Sequence, residues 1–161
     1  MKLAANEPRR IYLASSWRNP NQPALVDVLR KCGHKVYDFR NPKEGNTGFS
    51  WRAIDEDWLS WSPEKYAALV RTHPAARAGF NLDRAALDWC DTCVLLLPSG
   101  RSAHIEAGYA AGQGKRVIVY LYPDKFEPEL MYLLCSAIVT DLPALLEALD
   151  AGDQDLSGGA P

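Results

Sequence analysis

Continuous apolar runs alternate along most of the chain with segments of helical periodicity. Val94-Leu95-Leu96-Leu97 is apolar at every position, the pattern of a strand covered on both faces in a parallel sheet. It sets the third of five expected strands, at 10–14, 35–39, 92–97, 116–120 and 137–139. Helices fill the intervals. One is expected over 22–31, with Leu25, Val26 and Leu29 as its apolar stripe and Gly33 as its stop. Others cover 74–89 and about 143–149. Another begins where Pro98-Ser99-Gly100 breaks the third strand, with Ser102 as N-cap and Gly114 as the C′ stop.

Strands alternating with amphipathic helices imply βαβ units, right-handed crossovers and a mostly parallel five-stranded sheet. One interval does not fit a plain connection. Residues 41–73 carry turn signals (Asn41-Pro42, Glu44-Gly45-Asn46-Thr47-Gly48) and then short helical pieces with Trp51, Trp58 and Trp61, so they form an insertion after the second strand. The three rings either make a second small core or cover an aromatic ligand, packing being the preferred reading. The final stretch, 151–161, is rich in Gly and Asp and is expected to be a disordered tail.

A chain of 161 residues suits one domain, 1–150 with the insertion inside it. A formal charge of −2 gives no global attraction to nucleic-acid polymers or anionic membranes, which favours a small-molecule partner. No apolar run has the length of a membrane span, and residues 1–10 lack the hydrophobic region of a signal peptide, so the expected location is the cytoplasm. Cys90 and Cys93 are spaced like a redox dithiol, but they close a helix and open a strand, the reverse of the arrangement that lowers a thiol pKa. With Cys32 and Cys135 they are read as structural cysteines. His34, His73 and His104 have no ligand spacing, so neither a metal nor a cofactor is expected.

Glu106 is the most pointed candidate for chemistry. It stands just inside the helix that follows the third strand, at the carboxyl edge of the sheet, where open α/β folds bind their ligands. Helical side chains lean toward the N-terminus, and the helix dipole favours an ionised carboxylate there, able to act as a nucleophile. The same position also suits an acid that merely complements the dipole. Ser15-Ser16-Trp17-Arg18-Asn19, the turn after the first strand, offers hydroxyls, a guanidinium and amides to a phosphate or carboxylate. It is neither a Walker loop nor a dinucleotide fingerprint. Tyr12 is expected at the strand end, where a phenol could hold a carboxylate in one rotamer. Asp83 is a third candidate, whereas Asp88 and Asp91 read as surface acids, Asp91 opening the third strand.

Together these residues resemble the nucleoside 2-deoxyribosyltransferase family and its relatives that hydrolyse nucleoside 5′-monophosphates. Ile11-Tyr12-Leu13-Ala14 is similar to that family's opening strand. Glu106-Ala107-Gly108-Tyr109-Ala110 and Gly114-Lys115-Arg116-Val117-Ile118 are similar to its nucleophile helix and next strand. The resemblance runs from Ile11 to about Tyr120 apart from the insertion. It implies a flavodoxin/Rossmann-like three-layer α/β sandwich, Glu106 as nucleophile, Tyr12 as the residue that orients it, and Asp83 as the acid facing the leaving base. In the phosphate-recognising relatives a serine and an arginine two apart hold phosphate, which points to Ser16 and Arg18 with Trp17 between them. A serine before the nucleophile helps, which points to Ser99 or Ser102, flanking Gly100 and Arg101. The transferases carry an acid in that turn where this chain has Gly100 and Arg101, which puts transfer in doubt more than hydrolysis.

The expected activity is therefore hydrolysis of a nucleoside 5′-monophosphate through a glycosyl-enzyme intermediate. Base exchange between deoxynucleosides and a non-catalytic nucleotide sensor are the alternatives. The family implies a homo-oligomer in which a neighbour completes the site, with 127–132 as a segment that could contribute; its apolar half equally suits a helix packed on its own core.

Overall fold

The computed structural model describes residues 7–123 and 126–151; the expected tail, apart from Ala151, lies outside them. The chain forms two compact units, 1–37 with 89–161, and 38–88. The first holds the sheet. Five strands, β1 (Arg10–Ala14), β2 (Lys35–Tyr37), β3 (Thr92–Leu96), β4 (Arg116–Tyr120) and β5 (Ala137–Val139), pair in the order β2-β1-β3-β4-β5, all parallel. Central β3 and β4 are buried at every position, as their unbroken apolar runs require.

Alternation sorts the strand side chains into two layers. On one face Ile11, Leu13, Val36, Val94, Leu96, Ile118, Tyr120 and Val139 join the main core, together with Leu25, Val26 and Leu29 of α1 (Gln22–Lys31) and Leu145 and Leu149 of α5 (Leu142–Asp150). The other face carries Tyr12, Cys93, Leu95, Val117 and Val119. There α4 (Arg101–Gly112) packs on β1, β3 and β4 through Ala103, Ala107 and Ala110, small residues that allow a close approach. Gly33 and Gly114, at φ +97° and +72°, occupy the left-handed positions at which α1 and α4 turn off. Burial pushes the Cys90 thiol up, and it pushes Cys93 far up with the help of nearby Cys90 and Glu106.

Several boundaries differ from expectation. The second strand ends at Tyr37 because Asp38 opens a turn, its carboxylate accepting from the Arg40 amide and the Asn41 side chain at 3.0 and 2.9 Å. The third strand ends at Leu96, one residue early. The last helix extends a residue further at each end, with the Asp141 carboxylate accepting from Ala144 N at 2.8 Å. The segment 127–132 does not bury an apolar half in its own core. A 3-10 helix, Leu130–Leu134, leaves Leu130, Met131, Leu133 and Leu134 exposed and buries Tyr132.

The second unit contains two 3-10 turns, Trp51–Ala53 and Trp58–Ser60, then α2 (Pro63–Thr72) and most of α3 (Pro74–Trp89). It thus starts before residue 41, and its helical pieces include a full ten-residue helix. Trp51 and Trp61 pack together. Trp51 meets Phe49, Trp61 and Tyr66 edge-on at centroid distances of 4.8, 5.9 and 5.8 Å. Asp55 fastens this cluster, accepting from Trp61 Nε1 at 2.7 Å and Lys65 Nζ at 2.9 Å, contacts that lower its pKa to about 2. Among the described residues no helix is long and apolar enough to cross a membrane.

Candidate active site

In a 2-1-3-4-5 sheet the chain leaves β1 toward one edge and β3 toward the other, so the crevice beyond their carboxyl ends is the topological switch point where such folds bind ligands. Two polar turns border it here. After β1 come Ser15, Ser16, Trp17, Arg18 and Asn19; after β3 come Leu97, Pro98, Ser99 and Gly100. Ser15 Oγ donates to Leu96 O at 2.9 Å, and Asn19 Nδ2 donates to Ser15 Oγ at 3.1 Å and to Pro98 O at 3.2 Å. The same Asn19 accepts through Oδ1 from Asn21 N at 3.0 Å, fixing the entry to α1. Asn19 is 1% exposed. It and Ser15 lock the two turns together, a role that the sequence reading missed. The only local sign was an Asn before Pro20 in a turn, and turn chemistry alone does not reveal a partner 79 residues away.

The structure brings together the phosphate candidates of both turns. Ser16 Oγ accepts from Arg18 N at 3.1 Å, shaping its turn. Trp17 and Arg18 stand exposed. Across the lock, Ser99 is half-buried and Gly100, Arg101 and Ser102 are exposed. Arg18 on the first turn and Arg101, the first residue of α4 after the second, are both exposed cations, groups that suit an anion. Added side-chain bulk at Gly100 would meet nothing within 4 Å.

Three expectations change. Gly100, not Ser102, is the N-cap of α4, with extended backbone and no side-chain cap; Ser102 is the second helical residue. Glu106 therefore lies in the second turn of α4, and the first turn contains no acid. Tyr12 is not at the strand end. It is the middle residue of β1, wholly buried and stacked on Tyr37 at 5.3 Å with a 20° interplanar angle.

Half-buried Glu106 borders the Ala103-Ala107-Ala110 stripe on one side, and its charge reaches Cys93. Cys93 is the register partner of Tyr12, so Glu106 and Tyr12 share a neighbour on the same face of the sheet. His104 borders the stripe on the opposite side, at a cleft of about 600 Å³ lined by 97–99, His104, 126–129 and Tyr132. That cleft shares Leu97, Pro98 and Ser99 with the turn after β3. Asp83 lies in the second unit, half-buried beyond the middle of α3. The two surface acids behave as expected: Asp88 pairs with Arg84 at 3.0 Å, and Asp91, just before β3, pairs with Arg10 at 3.3 Å. Among the described residues no group of three His, Cys, Asp or Glu could hold a metal ion.

No protein-family profile matches the chain, and no curated protein matches its sequence. Solved structures do resemble it. A 2-deoxyribosyltransferase from the psychrotolerant bacterium Bacillus psychrosaccharolyticus superposes with a TM-score of 0.59 at 19% identity, over 91% of this chain and 94% of that one. A CMP N-glycosidase of Clostridium botulinum gives a TM-score of 0.47 at 18% identity, over 88% and 98% of the two chains. The first likeness, extending along nearly the whole of both chains, shows that this protein has the fold of a 2-deoxyribosyltransferase.

Proposed function

We propose that this protein hydrolyses the N-glycosidic bond of a nucleoside 5′-monophosphate. The observation that carries the reading is the pair of turns locked at the switch point by Ser15 and Asn19, with Arg18 and Arg101 exposed on them. An anion placed there stands outside the carboxyl ends of β1 and β3, beside the helix that carries Glu106. The shared fold with an enzyme of deoxynucleoside chemistry supports the same bond as target.

In the reaction, the Glu106 carboxylate attacks C1′ as the bond to the base nitrogen breaks through an oxocarbenium-like transition state. The base departs with the bonding electrons and takes a proton from Asp83 or from a water that Asp83 holds. Water then attacks C1′ of the glycosyl ester, gives its proton to the Asp83 carboxylate or the water that Asp83 holds, and breaks the ester bond to free Glu106, with net retention. Tyr12 orients the carboxylate. Ser16, Arg18, Arg101 and Ser99 or Ser102 hold the phosphate, with Trp17 and Gly100 lining the turns between them.

A panel of nucleosides and their 5′-monophosphates, assayed for free base, tests the reading. We expect release from at least one monophosphate, a loss of at least about 10³-fold in Glu106→Ala, and a larger loss on monophosphate than on nucleoside in Arg18→Ala. Full activity in Glu106→Ala, or no release from any compound, refutes it. Faster transfer to an added base than to water would instead make the enzyme a base exchanger.

A further inference from the structure

The segment after β4 runs Leu130-Met131-Tyr132-Leu133-Leu134 without a charged residue. As a 3-10 helix it turns only Tyr132 inward. Leu130 and Leu133 are 75% and 79% exposed, and Met131 and Leu134 are each more than half exposed. An exposed run of this kind is a liability unless it serves a contact. The backbone that presents it is fixed at both ends: the Tyr132 hydroxyl lies 2.9 Å from His104 Nε2, with the two rings stacked 5.8 Å apart, and Ser136 N donates to Val117 O of β4 at 2.7 Å.

The surface continues onto α4 and β5. Gly108 stands one turn beyond His104 and Gly112 one turn beyond Gly108, so both lie on the flank of α4 that His104 turns to the 3-10 helix. A Cβ at either glycine would meet nothing within 4 Å. Ile105, three residues before Gly108, is largely exposed and gives this recess an apolar rim. Ile138 of edge strand β5 pairs with Val119, so it shares the face of the sheet on which α4 packs, and it is half exposed there. Leu130, Met131, Leu133, Leu134, Ile105 and Ile138 together present on the order of 700 Å² to water, more than the roughly 300–600 Å² of the largest apolar patch on a typical monomer. It approaches the roughly 800 Å² that each partner gives to a stable interface of standard size.

We propose that this face is the contact between two copies of the chain related by a two-fold axis. The occupant follows from shape. One patch carries both projecting leucines and a flank without side chains to fill it, the self-complementarity that an isologous contact requires. Leu133 and Leu134 of one copy enter the Gly108–Gly112 flank of the other, and symmetry supplies the reverse contact. The pairing does not depend on the proposed reaction. Sedimentation equilibrium of the full chain, from about 1 to about 100 μM because a dimer is concentration-dependent, tests it. Wild type should reach twice the 17.9 kDa of one chain. Leu133→Glu, at a side chain that a lone chain leaves in water, should raise the dimer dissociation constant at least about 100-fold, as loss of a central anchor does. Gly108→Gln, for which a lone chain has room, should raise it at least about tenfold by filling the recess, with the circular dichroism spectrum of wild type. A wild type that keeps the mass of one chain at the highest concentration overturns the proposal and leaves the face to a different protein. An assembly that either variant leaves intact overturns it as well.

Discussion

Asn19→Asp separates the lock between the two turns from everything else that residue 19 does. Aspartate has nearly the same shape and keeps an oxygen where Oδ1 accepts from Asn21 N, so the entry to α1 is preserved. What it loses is Nδ2, which donates to Ser15 Oγ and to Pro98 O. Two lost bonds cost about 1 kcal/mol each. A carboxylate at a site 1% exposed, facing a carbonyl oxygen, adds a desolvation and repulsion penalty of about 1–2 kcal/mol even after its pKa rises to limit the damage. The expected loss at pH 7 is therefore about 3–4 kcal/mol, or about 6–16 °C in melting temperature for a chain of this size. The sign with pH is fixed as well. The folded-state pKa of the new acid is raised, so the penalty is full above that pKa and shrinks as pH falls through it, since a protonated carboxyl can donate to Pro98 O. Thermal unfolding followed by circular dichroism at pH 7 and pH 4.5, each against wild type, measures both effects. A variant that melts within 1 °C of wild type at pH 7, or whose deficit grows in acid, would show that Asn19 does not hold the turns together.

Two further outcomes follow from other parts of the molecule. His34 is buried and its Nδ1 accepts from Arg9 N at 3.1 Å; burial, with the Arg9 charge and against Asp150 and Asp91, lowers its pKa below the ordinary 6.5. The unfolded chain then binds the proton first, so urea titrations should show stability falling as pH drops below about 6.5 and levelling at the folded pKa, a slope that His34→Asn should flatten; equal slopes in both proteins would count against it. Gly79→Ala would ordinarily stabilise a helix interior by about 1 kcal/mol, but a Cβ there meets Phe49 Cβ at 3.0 Å and Cγ and Cδ2 at 3.1 Å. The nearest atom is close to the Phe49 backbone, so overpacking should win and the variant should be about 1 kcal/mol less stable than wild type; a raised melting temperature would contradict this.

The central strands were legible because burial on both faces leaves an unmistakable composition: Val94 to Leu96 and Val117 to Val119 have no polar position to hide. α1 and α4 end where Gly33 and Gly114 make the left-handed turn, a constraint local to one residue. Less visible were features set by distance rather than by neighbours. Ser102 is the better cap by side chain, yet the short connection from Leu96 starts the helix at Arg101, before Ser102 can serve. α2 carries only a short apolar stripe, Tyr66, Leu69 and Val70, and buries no residue, so little announces it as a full helix. Asn19 and His104 act through partners far along the chain, and neither periodicity nor motif encodes a bond from residue 19 to 98 or from 104 to 132.

The two-residue displacement of Glu106, from the first helical turn into the second, changes what must keep it ready in the proposed reaction. The field of a helix terminus falls off within the first turn, so a second-turn carboxylate gains little from it. The amides of α4's first turn are correspondingly available to the phosphate rather than to the nucleophile. Orientation of Glu106 then has to come from its flank, where the sheet offers Tyr12, held rigid by complete burial and by stacking on Tyr37. A phenol fixed in that way can restrict a carboxylate without touching solvent or ligand. One helix can in this way hold an anion at its end and a nucleophile on its side, with the two functions separated by about one turn, about 5 Å, comparable to the distance from a 5′-phosphate to an anomeric carbon.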